Sequence, residues 1–235
     1  ETSDKGTYPR QFEIRSFLGN TYIKLDEMDE AHEIFQENLT KGKAFKNEEV
    51  IMGATIDLGN LLGLQGKSQK AITYLLEARN IAEKRKDARR IFTTNYNIAE
   101  IYILDKKISK IAMHYLKRAS DELDSINNIL FNTSLEILYG KYYLKIGEAQ
   151  EAIIHFQEAN KLAKSVNLVE EVSSSYEGLA QAQELAGNYL ESLHTFKRTD
   201  GNSVSTLPYE VRNVDSLTKV TNATHTGDVT GDTAL

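Results

Sequence analysis

Leu18-Gly19-Asn20-Thr21-Tyr22, followed by Ala31 and Phe35, decides the fold, because the same arrangement returns four more times along the chain. It recurs as Leu58-Gly59-Asn60-Leu61-Leu62 with Ala71 and Leu75, then as Ile98-Ala99-Glu100-Ile101-Tyr102 with Ile111 and Tyr115. Two further copies read Tyr139-Gly140-Lys141-Tyr142-Tyr143 with Ala152 and Phe156, and Leu179-Ala180-Gln181-Ala182-Gln183 with Ser192 and Phe196. The anchors Gly19, Gly59, Ala99, Gly140 and Ala180 are spaced by 40, 40, 41 and 40 residues. A small anchor is followed twelve residues later by a second column and sixteen later by a bulky apolar residue. Self-similarity at a fixed period of this size marks a stacked repeat architecture.

A third column lies seven residues past each anchor, at Asp26, Gly66, Lys106, Gly147 and Gly187. Glycine enters the left-handed backbone region without steric cost, so this phase predicts helix C-termini. Each repeat is therefore expected to be two helices joined by a short turn, the anchor on the first helix and the Ala/Phe pair on the second. Apolar residues at three- and four-residue steps, such as Ala71, Leu75, Ala78 and Ala82, give each helix one buried stripe. The segments joining repeats are polar or cationic, as in Lys41-Gly42-Lys43 and Lys84-Arg85-Lys86-Asp87. One hairpin cannot bury its stripe alone, so the copies must stack. The expected class is all-α: a right-handed α-α superhelix of about five hairpins with a concave and a convex face.

The pattern Leu18-Gly19 … Tyr22 followed by Ala31 … Phe35 resembles the tetratricopeptide repeat. The resemblance covers roughly residues 9–198. The period of 40 exceeds the roughly 34 residues usual for that repeat, no Trp opens the first helix and no Pro closes the copies. In this it is similar to the long-helix variant of kinesin light chains, Rap-type peptide-responsive regulators and the sensor regions of bacterial signalling proteins. HEAT-type repeats, at about 40–47 residues, are the second reading; Gly/Ala and Phe/Tyr falling in phase on alternate helices favours the first.

Composition narrows the function. The chain has 235 residues, 40% hydrophobic and 26% charged, as in ordinary globular domains. Its two prolines, Pro9 and Pro208, leave the stretch between them free of a helix breaker. The absence of cysteine excludes disulfides, zinc–thiolate sites and thiol nucleophiles. A net charge of −6 argues against nucleic-acid binding, and no apolar run approaches the ~18 residues of a membrane span. His32, His114, His155 and His194 fall on second helices, one per repeat, and His114 and His155 share a phase. With His225 they form no HExxH, and equivalent positions in stacked repeats lie about 10 Å apart, too far for shared metal ligation. No phosphate-binding glycine loop or nucleophile elbow is present; Gly59, Gly63 and Gly66 belong to the repeat anchor and turn. Glu48-Glu49 and Glu170-Glu171 sit at the starts of first helices, where the helix dipole favours carboxylates. The expectation is a non-enzyme without metal or cofactor.

What remains is surface recognition. The resemblance implies that first helices line the groove and that the residue after each anchor faces it: Asn20, Asn60, Glu100, Lys141 and Gln181. It also implies that Asn20 and Asn60 pair with a ligand's main chain, because one amide offers both donor and acceptor. Three or four residues along the same face, Ser16, Lys24, Ile56, Tyr96 and Ile137 are candidate neighbours. The expected function is protein or peptide capture in the groove, as the sensor or adaptor part of a larger signalling protein. The alternative is an assembly module that self-associates through its repeat ends.

The expected domain limits are 1–198 for the repeats and 199–235 for a tail with eleven Ser/Thr and Thr-Gly-Asp twice. Such a segment reads as disordered, as a junction, or as a short β segment that pairs with another chain. Thr2–Gly6 occupies the phase that joins repeats, and Glu1 is preceded by no basic and apolar leader, so a preceding repeat or a removed leader is expected. Freedom from cysteine fits a cytoplasmic or a periplasmic setting equally.

Overall fold

The computed structural model describes residues 7–105 and 110–199. The Thr/Gly/Asp-rich tail, Thr2–Gly6 and Lys106 lie outside them. The described residues are helical throughout, with no strand. Helices run in the order α1 (Thr7–Lys24), α2 (Met28–Ala44), α3 (Glu48–Leu64), α4 (Ser68–Arg85), α5 (Ala88–Leu104) and α6 (Lys110–Ser120). They continue with α7 (Leu123–Ile126), α8 (Ile129–Ile146), α9 (Ala149–Ser165), α10 (Val169–Leu185) and α11 (Tyr189–Thr199). The chain divides into two compact units, Glu1–Phe131 and Asn132–Leu235.

The turns follow from backbone chemistry. Asp26, Gly66, Gly147 and Gly187 close first helices at φ +64°, +71°, +83° and +80°. In each case the next amide donates five residues back, as in Lys67 N to Leu62 O at 2.8 Å and Asn188 N to Gln183 O at 2.8 Å. That 6→1 bond satisfies a carbonyl orphaned by the helix end. A second left-handed column closes the second helices at Lys46, Lys86, Asn127 and Asn167, with φ between +43° and +57°. No glycine marks it, so the sequence pattern did not disclose it. The first helices that follow start on side-chain caps in three cases: Asn47 accepts from the amides of Glu49 and Val50, Asp87 from that of Arg90, and Asn128 from that of Leu130.

Packing bears out the anchor rule within each unit. A Cβ placed on Gly19 would collide with the Phe35 ring; on Gly59 it would lie 2.7 Å from Leu75 Cγ; on Gly140, 2.7 Å from Phe156 Cζ. The anchor thus removes the one atom that would hold the second helix away. In the first unit Ala31, Phe35 and Leu39 of α2 bury against Ala54, Leu58 and Leu61 of α3. Leu62, Ile72 and Leu75 do the same with Ile98 and Ile101 of α5. In the second unit Phe156 is gripped from both sides, because a Cβ on Gly178 of α10 would also strike its ring.

The third repeat departs from the expected register. Ile111 is 45% exposed, whereas Ala112 and Leu116 are fully buried. The second column is therefore Ala112, thirteen residues past Ala99, and the extra residue of the 41-residue copy lies between Ala99 and Ala112. His114 and His155 consequently do not share a phase. The second helix of this copy also breaks, into α6 and α7, at Asp121-Glu122. Second helices carry cations in their last turn (Lys41 and Lys43; Lys84 and Arg85; Lys117 and Arg118 in α6) that suit the negative end of the dipole.

Two glycines of one helix give opposite expected outcomes. Gly59→Ala should destabilise the chain by roughly 1–3 kcal/mol through overpacking against Leu75. Gly53→Ala, where a Cβ meets nothing within 4 Å, should stabilise it by up to ~1 kcal/mol through helix propensity alone. Urea unfolding of both variants checks the pair; equal effects would refute the anchor rule.

Candidate functional site

Helices α1, α3 and α5 of the first unit carry the anchors Gly19, Gly59 and Ala99, and α1 packs directly on α3. Between them opens a cleft of about 350 Å³. Phe12, Glu13, Ser16, Phe17 and Asn20 of α1 form one wall; Gly53, Ala54 and Asp57 of α3 form the other. Asn38 of α2 and Glu49 and Arg90 complete the lining. Phe12 is buried, while Phe17 is 73% exposed at the rim. Arg15 donates through Nε to Asn38 Oδ1 at 2.9 Å and forms an ion pair with Glu37, which locks α1 onto α2 beneath the cleft.

Asp57 is the chemically distinctive group. Ser16 Oγ donates to its Oδ2 at 2.6 Å. Burial pushes the carboxyl above its ordinary value; the Ser16 hydrogen bond and the positive charge of Arg90 pull it back only in part. A lone acid inside the otherwise apolar stretch Val50–Leu64 was the signal available in the sequence, and it passed unused because it lies two residues before the anchor, not after it.

The expected groove residues divide. Ser16 and Asn20 come together in the cleft. Asn20 is exposed and makes no hydrogen bond to another described residue. Asn60 lies one repeat further, and its Oδ1 accepts from Asn97 Nδ2 at 2.5 Å. Asn97 and Asp57 occupy the same repeat position, so Asn20 beside Asp57 is the counterpart of the Asn60–Asn97 pair, left open because Ser16 holds Asp57 instead. Lys24 is exposed at the end of α1, outside the cleft. Tyr96 is partly buried and stacked on Phe92 at 5.8 Å, and Glu100 is partly buried on α5. Lys141 and Gln181 are exposed on α8 and α10 of the second unit. Two neighbours require correction: Ile56 and Ile137 are core residues, 4% and 5% exposed, since Ile56 packs with Ala78 and Ala82 and Ile137 with Ile153 and Phe156.

Among the histidines, His155 is partly buried. It is bonded to Glu136 at 2.6 Å and stacked between Tyr139 and Tyr143 at 5.0 and 5.2 Å. Among the described residues no group of three His, Asp or Glu is placed to hold a metal ion, and no helix is long and apolar enough to cross a membrane.

No family model matches the chain, and no curated protein matches it. Solved structures do. BtubC (BKLC) from P. vanneervenii is similar at a TM-score of 0.67 and 16% identity, over 83% of this chain and 86% of that one. A putative kinesin light chain from Podospora anserina with nearly identical TPR-like repeats gives 0.63 and 16%, over 83% and 95%. NprR, in complex with its cognate peptide NprX, gives 0.60 and 16%, over 86% of this chain and 57% of that one. At such identity the likeness is one of fold: an all-α helical repeat of the tetratricopeptide type.

The displaced titration of Asp57 has a sign that can be read in solution. Below the ordinary carboxylate range the group is protonated in folded and unfolded chains alike and contributes nothing. As pH rises through the ordinary value towards the raised one, the unfolded chain releases its proton first, so the carboxylate lowers stability. Asp57→Asn should therefore raise the urea midpoint at pH 7, and the gain should vanish below about pH 4. A gain that is constant across this range would contradict the cause assigned.

Proposed function

We propose that the chain is a peptide- or protein-binding scaffold, with the cleft between α1, α3 and α5 as the place where a bound segment is held. The observation that carries this reading is Asn20: an exposed amide with both donor and acceptor free, set at the edge of a cleft whose walls mix apolar and polar side chains. Such an amide can pair with a peptide unit from both sides, while the mixed walls select side chains. Binding sites are characteristically concave, and this cleft sets the apolar side chains of Phe12, Phe17, Val50 and Ala54 beside polar and charged ones. The NprR likeness supports the reading, since that structure contains a cognate peptide. In this reading the chain is the sensor or adaptor part of a larger signalling protein: occupancy would change how neighbouring hairpins stack. No step of it needs catalysis by the chain.

A panel of dodecapeptides displayed against the whole chain tests the proposal. Wild type should enrich a sequence class, and Asn20→Ala/Asn60→Ala should bind the enriched peptides roughly tenfold more weakly, as expected for lost hydrogen bonds at a desolvated site. Equal affinity of both proteins would retire the assignment of these asparagines.

A second reading rests on a different surface. Ile14 and Leu18 occupy the repeat positions of Ala54 and Leu58, which are buried against α2, yet on α1 they are 64% and 46% exposed. That face fits a helix of the kind that α2 and α4 present, and a second copy of the chain could supply it. Sedimentation over a concentration range should then show mass rising with concentration, and Ile14→Lys/Leu18→Lys should abolish the rise. A constant monomer mass in wild type would end this reading.

A further inference from the structure

The cleft leaves one group with unfinished chemistry. Ser16 satisfies Oδ2 of Asp57, and no other described residue bonds that carboxylate. Arg90 shares the lining, but its guanidinium approaches Glu49 at 4.0 Å, while Arg85 takes the same Glu49 at 2.8 Å. An ionised carboxylate drawn partly out of water with a single hydrogen bond is poorly compensated, and a cation is what would complete it.

Space and charge agree. Gly53 lies one turn before Asp57 on the same helix face, and a Cβ built there would meet nothing within 4 Å. A glycine in mid-helix costs roughly 0.5–1 kcal/mol relative to alanine. Here it spares no packing partner and leaves open the space beside Asp57. Glu13, Glu49 and Asp57 stand against Arg90 alone in the lining, so the cleft is acidic and repels an acidic guest. Asn20 and the exposed Phe17 complete its mouth on α1, one offering hydrogen bonds and the other an apolar surface for an alkyl chain.

We infer that the cleft receives the cationic end of a lysine or arginine side chain from a bound peptide, with Asp57 as its counter-ion and Gly53 providing the room. The inference rests on the groove reading above and adds to it a specificity: Asn20 holds main chain, and Asp57 selects a basic residue.

The test uses the full chain and end-capped dodecapeptides in matched pairs, one member of each carrying Lys or Arg and the other Gln at the same place. Wild type should prefer the basic member by roughly tenfold or more, as for a charge-assisted hydrogen bond at a partly desolvated site. Asp57→Asn should bind both members equally. Gly53→Leu should bind neither, while melting no earlier than wild type, which separates a filled cleft from a failed fold. Peptides bound by wild type with no preference for Lys or Arg would overturn the inference and leave the groove reading standing. So would an Asp57→Asn protein that keeps the preference. Binding of no peptide by wild type would retire the groove reading and this inference with it.

Discussion

The contact on which the rest depends is a missing side chain on one helix filled by a bulky side chain from the next. Gly19, Gly59 and Gly140 let Phe35, Leu75 and Phe156 lie where a Cβ would otherwise stand. Each of these large side chains is then fully or almost fully out of water. Burial of such a side chain contributes about 1.5–3 kcal/mol, more than the roughly 0.5–1 kcal/mol lost by placing glycine in mid-helix. The exchange is favourable once per hairpin, and only in a stack, because the bulky residue also touches the following hairpin. Phe156 shows this directly, held between Gly140 and Gly178.

Fold was legible because the sequence repeats this exchange at a nearly constant interval, and one unit tested against four others averages out the noise of any single motif. The lapses have local causes. In the third copy Ile111 and Tyr115 were in phase with the anchor, but the extra residue lies between Ala99 and Ala112 and shifts the buried column to Ala112 and Leu116. Sequence spacing counts residues and cannot see which side of a turn absorbs an insertion. The left-handed residues Lys46, Lys86, Asn127 and Asn167 escaped for another reason: none is glycine, and at Lys46, Lys86 and Asn167 the conformation accompanies a 6→1 bond, as in Asn47 N to Gly42 O at 2.9 Å.

The candidate site was legible in part. Asn20 and Ser16 share one cleft because the anchor fixes the helix phase. Ile56 and Ile137 are buried instead, since an inner helix of a stack is covered on two sides. Asp57 required a tertiary fact, the approach of Ser16 from a residue 41 positions away in the chain.

Where the chain breaks its own packing rule is informative. Along α3 the apolar stretch is interrupted by two choices that each reduce stability: Gly53, which packs against nothing, and Asp57, whose carboxyl is pushed up by burial. At the anchors a glycine is offset by the side chain that fills its space, and the buried amide of Asn160 is offset by Ser175 at 2.8 Å. At Gly53 no side chain fills the space and Asp57 has only the Ser16 hydrogen bond, and the two lie a helical turn apart in one cleft. Local rules are broken without return chiefly where a ligand supplies the return. The stability given up along α3 and the binding proposed for the cleft are then one free energy, withheld from the empty chain and recovered when a guest arrives.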